Sequence, residues 1–171
     1  VAPDRLRFDF THTRPVGAQE LAEIESGVNN DIFKNDVVEP YVLPKDEAIA
    51  RGAMALFGEK YGDVVRMMEI DGISRELCGG THVANTGQIG LFHIVSESSV
   101  ASGVRRIEAV SGRAAYAELH KGLAQLERVA EAVNSTPAQV DQKIGALLKQ
   151  LDDKEKEIQR LRRDMAKRQA E

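Results

Sequence analysis

The sequence is poor in cysteine and in aromatic residues, and it contains no long apolar run. Cys78 is the only cysteine, which excludes an intrachain disulfide. No stretch of about 18 apolar residues occurs, so no transmembrane helix and no membrane partner are predicted. The segment from Val1 to Arg5 lacks both a starting methionine and the apolar core of a signal peptide. We therefore expect a cytoplasmic, reducing setting and a fragment of a larger protein.

Composition and charge further limit the interpretation. The sequence is 42% hydrophobic and only 5% aromatic, which predicts a modest core followed by a long solvated helix. The net charge of -4 argues against a broadly basic surface that binds nucleic acid. Residues 1–110 carry an excess of acidic side chains, and residues 111–171 a small excess of basic ones. Any contact with RNA is therefore expected to be local.

The most informative motif is Cys-Gly-Gly-Thr-His at residues 78–82. A thiolate and an imidazole four residues apart suit a zinc ion. Gly79 and Gly80 are predicted to take positive φ angles, so that the side chains of Cys78 and His82 converge. Two ligands do not complete a zinc site, so the others must be histidines elsewhere or lie outside this chain. The alternative interpretation is a buried structural thiol and a histidine hydrogen-bonded by its neighbours.

Residues 1–110 show strand patterns interleaved with two helical patterns. Residues 6–10 alternate apolar and charged side chains, which predicts a strand with Leu6, Phe8 and Phe10 turned inward. Helical patterns follow Gly17 and Pro44. Further strands are predicted at residues 37–43 (with Pro40 at an edge or bulge), 64–70, 90–96 and 103–110. Because strands and helices do not alternate regularly, the pattern predicts an α+β fold.

After residue 110 the pattern becomes helical. Apolar residues three and four apart run from Tyr116 to Val133, which is a heptad pattern. Residues 136–139 predict a capping box that begins a second helix, whose own heptad pattern is broken at Lys154. Two such patterns joined by a short turn predict a long antiparallel helical hairpin, a coiled coil, over residues 111–171. Its second helix is longer than its first, and association with a second copy stays open.

Two arginines and a basic run are candidates for contact with RNA. Arg105 and Arg106 lie in a predicted strand, where the alternative is a solvent-facing charge or a pair with Glu108. Residues 154–168 are rich in lysine and arginine, and such runs are usually the wet face of a helix. His93 lies in an apolar strand pattern, so we interpret it as a packed or exposed strand residue.

Four blocks of the sequence occur in a recognisable order. They are VAPDRLRFDFTH at residues 1–12, GAMALFGEKY at 52–61, ELCGGTH at 76–82 and SGVRRIEAV at 102–110. These blocks and their spacing closely resemble the editing region of bacterial alanyl-tRNA synthetases, and the resemblance extends through the helical residues. The ELCGGTH block alone also resembles threonyl-tRNA synthetase editing domains and free-standing alanyl-tRNA editing proteins. The block at 52–61 and the helical hairpin favour the synthetase.

The resemblance implies a fold and a metal site. Residues 1–110 would be an N-terminally truncated editing domain with a mixed or antiparallel sheet, of the type that threonyl- and alanyl-tRNA synthetases share. Residues 111–171 would be the hairpin toward a missing C-terminal domain. In this family a His-x-x-x-His pair and a Cys-x-x-x-His pair hold zinc. Cys78 and His82 match the second pair, and the first is expected upstream. Zinc is therefore expected to be absent from this chain or weakly bound.

The resemblance also implies an activity. An alanine pocket cannot reject glycine by size and rejects serine poorly, because such differences are worth only about 1–3 kcal/mol. A second site would therefore hydrolyse Ser-tRNA(Ala) and Gly-tRNA(Ala). The implied partners are tRNA(Ala), its mischarged forms and the remaining synthetase domains, including the ATP-binding one. We expect this chain alone to be inactive. The alternatives are a free-standing editing hydrolase and a purely structural or dimerisation segment.

Overall fold

The computed structural model describes Ala2, residues 5–55 and residues 61–169. Parts of the sequence blocks at 1–12 and 52–61 therefore lie outside the described residues. The chain forms two compact units, Val1–Ala117 and Glu118–Glu171. The domain boundary predicted at residue 110 stays a prediction.

Strands and helices occur mostly where the sequence predicts them. The strands are β1 (Leu6–Thr11), β2 (Glu39–Pro44), β3 (Val64–Ile70), β4 (Ser74–Leu77), β5 (Phe92–Ala101) and β6 (Val104–Ser111). The helices are α1 (Ala18–Lys34), α2 (Lys45–Ala50), α3 (Gly112–Ala132) and α4 (Val140–Gln169), with 3₁₀ turns at Thr86–Ile89 and Pro137–Gln139. The α+β class is confirmed: two antiparallel sheets precede a long C-terminal helix.

The first sheet has the order β1-β6-β5, and α1 covers its β5 edge. The Asn29 amide donates to the Phe92 carbonyl at 2.8 Å and accepts from the Phe92 N–H at 2.9 Å. The Glu25 carboxylate accepts from the Ile94 N–H at 2.6 Å. Side chains of α1 therefore take the place of a neighbouring strand and satisfy backbone groups that an open edge would expose.

The second sheet has the order β2-β3-β4 and encloses the main apolar cluster of the first unit. Strand β3 is central, and α2 packs one residue, Ala48, into the cluster. The cluster consists of Leu43, Ala48, Val65, Met67 and Leu77. The predicted edge position of Pro40 is confirmed, because β2 is an outer strand, where a residue without an N–H is tolerated.

Three local expectations are wrong at least in part, and one strand is missed. Phe8 is 55% exposed rather than turned inward, because it lies on the edge strand β1, where its ring stacks on Phe10 at 5.9 Å. Strand β4 was not predicted, since it is short and carries two charged residues. Strand β5 begins at Phe92, later than predicted, and continues to Ala101. Thr136 is the N-cap of the turn with Pro137 next to it, as predicted, but it makes no side-chain capping bond, because the chain starts there in 3₁₀ geometry.

The second unit contains most of α3 and all of α4. The two predicted helices are confirmed, and the turn between them uses Asn134 at φ 51°. The apolar positions of their heptad patterns remain largely exposed, with Leu123 at 56% and Leu151 at 57%. Within the described part of the chain, the heptad positions of neither helix are therefore fully buried by packing against another element. Among the described helices, none combines the length and the apolar character that a membrane span requires.

Candidate metal-binding segment

The Cys78–His82 segment begins where β4 ends. The Cys78 N–H donates to the Arg66 carbonyl at 3.1 Å, which extends the β3–β4 register one step beyond the Met67–Leu77 pair. Facing residues of antiparallel strands direct their side chains to the same face of a sheet. The Cys78 thiol and the Arg66 guanidinium therefore share a face. Cys78 is half-buried, whereas His82 is exposed.

Hydrogen bonds fix both ends of this segment. At its start, the Arg66 guanidinium donates to the Gly80 carbonyl at 2.6 Å. Beyond its end, the Ala84 carbonyl accepts from the Val38 N–H at 2.9 Å. Residues 79–83 are all exposed, and residues 81–83 lie between these two attachments. The segment is thus an open stretch of chain attached to the sheet on one side and to the start of β2 on the other.

The chain after the segment is packed tightly onto the end of α1. The Thr86 hydroxyl, which is buried, donates to the Asp31 carbonyl and accepts from the Asp36 N–H, each at 3.0 Å. A Cβ atom at Gly87 would lie 2.5 Å from the Asn35 side-chain oxygen, so any larger residue there would displace the Asn35 side chain. This turn therefore provides a rigid support for the downstream end of the segment.

The expectation that Gly79 and Gly80 take positive φ angles is wrong. Among the described glycines, the positive angles occur elsewhere, for example at Gly72 and Gly90. A Cβ atom at Gly79 would meet nothing within 4 Å, and one at Gly80 would lie 3.5 Å from the Cys78 sulfur. The backbone therefore does not require glycine at either position. Their effect is to leave the side of the segment next to the thiol uncovered.

The cysteine and histidine side chains of this segment are of the kinds that bind zinc, but two ligands do not complete a zinc site. Across the described ranges 5–55 and 61–169, no group of three or more histidine, cysteine or acidic side chains could hold a metal ion. A thiolate from Cys78 and an imidazole from His82 would supply two of the four donors of a tetrahedral zinc. A zinc ion here would need further donors from beyond the described residues.

Arg105 and Arg106 are both held by carboxylates of their own sheet. Arg105 forms a two-point ion pair with Glu97, at 2.5 and 2.6 Å, and the side chains are 14% and 7% exposed. This hydrogen-bonded guanidinium lowers the pKa of Glu97. Arg106 pairs in the same way with Asp9, at 2.6 and 2.8 Å, and is more exposed. The alternative partner Glu108 pairs with Arg7 instead. Contact of either arginine with tRNA stays a prediction.

Sequence reasoning missed Arg66 and correctly placed His93. His93 packs on α1, with its Nδ1 3.0 Å from a Glu25 carboxylate oxygen, as a strand residue should. Arg66 was not singled out, although it is the one charged residue within the apolar run of residues 64–68. An isolated arginine in a central strand was the available signal. Its partners, Cys78 and Gly80, follow only from the strand register.

The sequence is similar to those of known proteins. The family model described as the threonyl and alanyl tRNA synthetase second additional domain matches residues 65–108, which include β3, the Cys78–His82 segment and β6 up to Glu108. The alanine–tRNA ligase of Geobacillus kaustophilus strain HTA426 is 48% identical over 171 residues, the whole chain. The alanine–tRNA ligase of Acidithiobacillus ferridurans is 49% identical over 168 residues, or 98% of the chain. That of Bordetella petrii is 46% identical over 166 residues, or 97%.

The chain spans only about a fifth of the length of these relatives, 19% in each case. The similarity extends across both compact units and therefore includes the helical residues as well as the sheets. The chain is therefore homologous over its whole length to a segment of alanine–tRNA ligases, and its residues 65–108 match the threonyl and alanyl tRNA synthetase second additional domain.

Proposed function

We propose that this segment forms part of an editing site that hydrolyses Ser-tRNA(Ala) and Gly-tRNA(Ala). The observation that supports this proposal is the Cys78–His82 pair, which lies on an anchored, open segment inside the region matched by the synthetase domain. Because an alanine pocket discriminates against serine and glycine by only about 1–3 kcal/mol, a second hydrolytic site is needed for accuracy. The proposed setting is the cytoplasm.

The proposed roles of the two residues follow from their chemistry. Cys78 acts as a thiolate ligand and His82 as a neutral imidazole ligand of zinc, with the remaining donors supplied by polypeptide outside these residues. When bound, zinc supplies a positive charge that can polarise an ester carbonyl or a bound water. The ATP-dependent ligation of alanine to tRNA is proposed for the whole protein and not for this segment.

Contact with tRNA is proposed for Arg106 in preference to Arg105. Arg105 is largely buried in its pair with Glu97, so binding RNA would first require that pair to break. Arg106 is more exposed and its partner Asp9 is more exposed still, so a phosphate can compete for its guanidinium. Replacing Arg106 by alanine in the longer enzyme should weaken tRNA binding, with Arg105→Lys as the comparison.

Deacylation of preformed Ser-tRNA(Ala) tests the editing proposal. The 171-residue chain alone should release little serine, and a longer protein that supplies the missing zinc donors should be active. In that longer protein, Cys78→Ala and His82→Ala should abolish hydrolysis and lower the zinc content measured by elemental analysis. His120→Ala, an exposed histidine on α3, is the matched control. Full hydrolysis by both Cys78→Ala and His82→Ala would refute the proposal.

A second proposal concerns residues 118–171, as a spacer and association element. Their apolar heptad positions are largely exposed, and these are the positions through which helices associate in coiled coils. Sedimentation equilibrium of the chain and of its Leu151→Glu variant tests this proposal. A wild-type dimer that becomes monomeric in the variant supports association through α4, whereas a monomer in both favours a spacer.

A further inference from the structure

Arg66 contacts the proposed ligand segment twice, through different groups. Its backbone carbonyl accepts from the Cys78 N–H at 3.1 Å, and its guanidinium donates to the Gly80 carbonyl at 2.6 Å. We propose that Arg66 is a positioning residue that fixes the first half of the Cys78–His82 segment. The proposed role in positioning a ligand depends on the proposed zinc site, whereas the two contacts of Arg66 are independent of it.

The segment needs such an attachment because of its composition. Neither Gly79 nor Gly80 has a positive φ, and a Cβ atom added at either would meet nothing within 4 Å except the Cys78 sulfur. Adjacent glycines sample more conformations than other residues, so holding them in one conformation costs more entropy. The bond at Gly80 divides residues 79–83 into two shorter spans. Each shorter span has fewer conformations to lose when a metal ion binds.

The origin of this bond is the central strand of the second sheet. Arg66 lies in β3, between the buried residues Val65 and Met67, so its Cα position is fixed by the core. Its cross-strand neighbour on β2 is Val42, which is 75% exposed. The stem of Arg66 therefore lies on an open face of the sheet, with nothing bulky from β2 folded over it. An arginine can cross this face and reach a carbonyl beyond the end of β4.

The choice of side chain matters for this contact. A charged donor to a carbonyl makes a stronger hydrogen bond than a neutral donor. Lysine retains the charge and a comparable reach, but it places a single rotatable ammonium where arginine has a planar fork. Methionine retains an unbranched apolar stem and loses every donor. The pair Arg66→Met and Arg66→Lys therefore separates the guanidinium's bond from the packing of its stem.

Backbone relaxation by NMR on this chain measures the effect directly. In the wild type, the amide order parameters of Gly80 and Thr81 should approach the value of about 0.85 that is typical of rigid backbone. In Arg66→Met they should fall below about 0.6, the range of flexible loops, and Arg66→Lys should restore an intermediate value. The amides of Met67 and Leu77, in the core beside the bond, should remain unchanged in all variants.

Arg75→Ala is the matched control. Arg75 lies in β4 close to the segment, but its guanidinium pairs with Glu69 at 2.6 Å rather than with the segment. If Arg66→Met leaves Gly80 and Thr81 as rigid as in the wild type, or if Arg75→Ala loosens them equally, the proposal is wrong. Arg66→Ala provides a second test should the methionine variant fail to fold. These outcomes are independent of deacylation, so a failed editing assay would not be confused with a failed positioning role.

Discussion

The attachment of α1 to the edge of the first sheet leads to a quantitative prediction. Asn29 makes two hydrogen bonds to Phe92, one to its carbonyl at 2.8 Å and one from its N–H at 2.9 Å. Both are partly buried, and each such bond contributes about 1 kcal/mol net to stability. We therefore expect the loss of these two bonds in Asn29→Ala to cost about 2 kcal/mol of the free energy of unfolding.

The matched control is the neighbouring residue of the same type. Asn30 also lies in α1, but it is exposed. Asparagine to alanine in a helix is itself stabilising by up to about 0.7 kcal/mol, and Asn30→Ala measures this contribution. Urea unfolding of both variants gives the difference between them, which isolates the two bonds to Phe92. Amide hydrogen exchange at Phe92 gives a local measurement, because its N–H loses its acceptor in Asn29→Ala only.

The reasoning fails if the two asparagine variants differ by less than about 0.5 kcal/mol, the usual range for surface substitutions. It also fails if exchange at Phe92 is unchanged in Asn29→Ala. A second consequence concerns solubility, because an uncovered edge strand can pair with another molecule. Asn29→Ala should therefore form larger species at high concentration in light scattering, whereas Asn30→Ala should not.

Two further predictions concern a glycine and an acidic residue. Gly87→Ala should destabilise the chain by about 1 kcal/mol in urea unfolding, because its Cβ would displace the Asn35 side chain, whereas Gly79→Ala should change stability by less than about 0.5 kcal/mol. An equal effect of both would contradict the structure. The Arg14 guanidinium and the Gly17 N–H lower the pKa of Glu20 to about 2. Its stabilising contribution is therefore complete above about pH 4.5 and is lost as the pH falls toward 2, so Glu20→Gln should flatten the acid limb of a melting-temperature profile, and an unchanged limb would refute the assignment.

Central elements could be predicted from the sequence because their burial leaves a pattern. Strand β3 begins and ends at the predicted residues, because its apolar residues Val65, Met67 and Met68 are buried in the core and leave a strand pattern in the sequence. Strand β4 has no such pattern, and it forms because the end of β3 and the backbone of Met54 offer it hydrogen-bonding partners. Strand β4 is stabilised by tertiary contacts, so the sequence of its four residues alone could not predict it.

The same distinction between local patterns and tertiary contacts applies to the candidate site. Cys78 and His82 could be selected from the sequence, because their spacing and chemistry are local. The roles of Arg66 and Thr86 could not, since each depends on chain pairing with residues far away in the sequence. The wrong expectation for Gly79 and Gly80 has a related cause. Glycine permits positive φ without requiring it, and the sharp turn was expected from the chemistry rather than from any constraint on the backbone.

The unequal attachment of the two proposed ligands bears on how a zinc site could be completed. The backbone of Cys78 is hydrogen-bonded to Arg66 of β3, whereas His82 lies on the exposed stretch between Gly80 and Ala84. The thiolate would therefore be placed before the metal arrives, and the imidazole would adjust to donors contributed by other polypeptide. Fixing one ligand lowers the entropy lost on binding, while leaving the other adaptable allows the two halves of the site to meet without strain. If both ligands were equally rigid, small errors in the position of the other donors would weaken metal binding. A structure built for two rigid ligands would also place the Arg66 hydrogen bond nearer His82 than at Gly80.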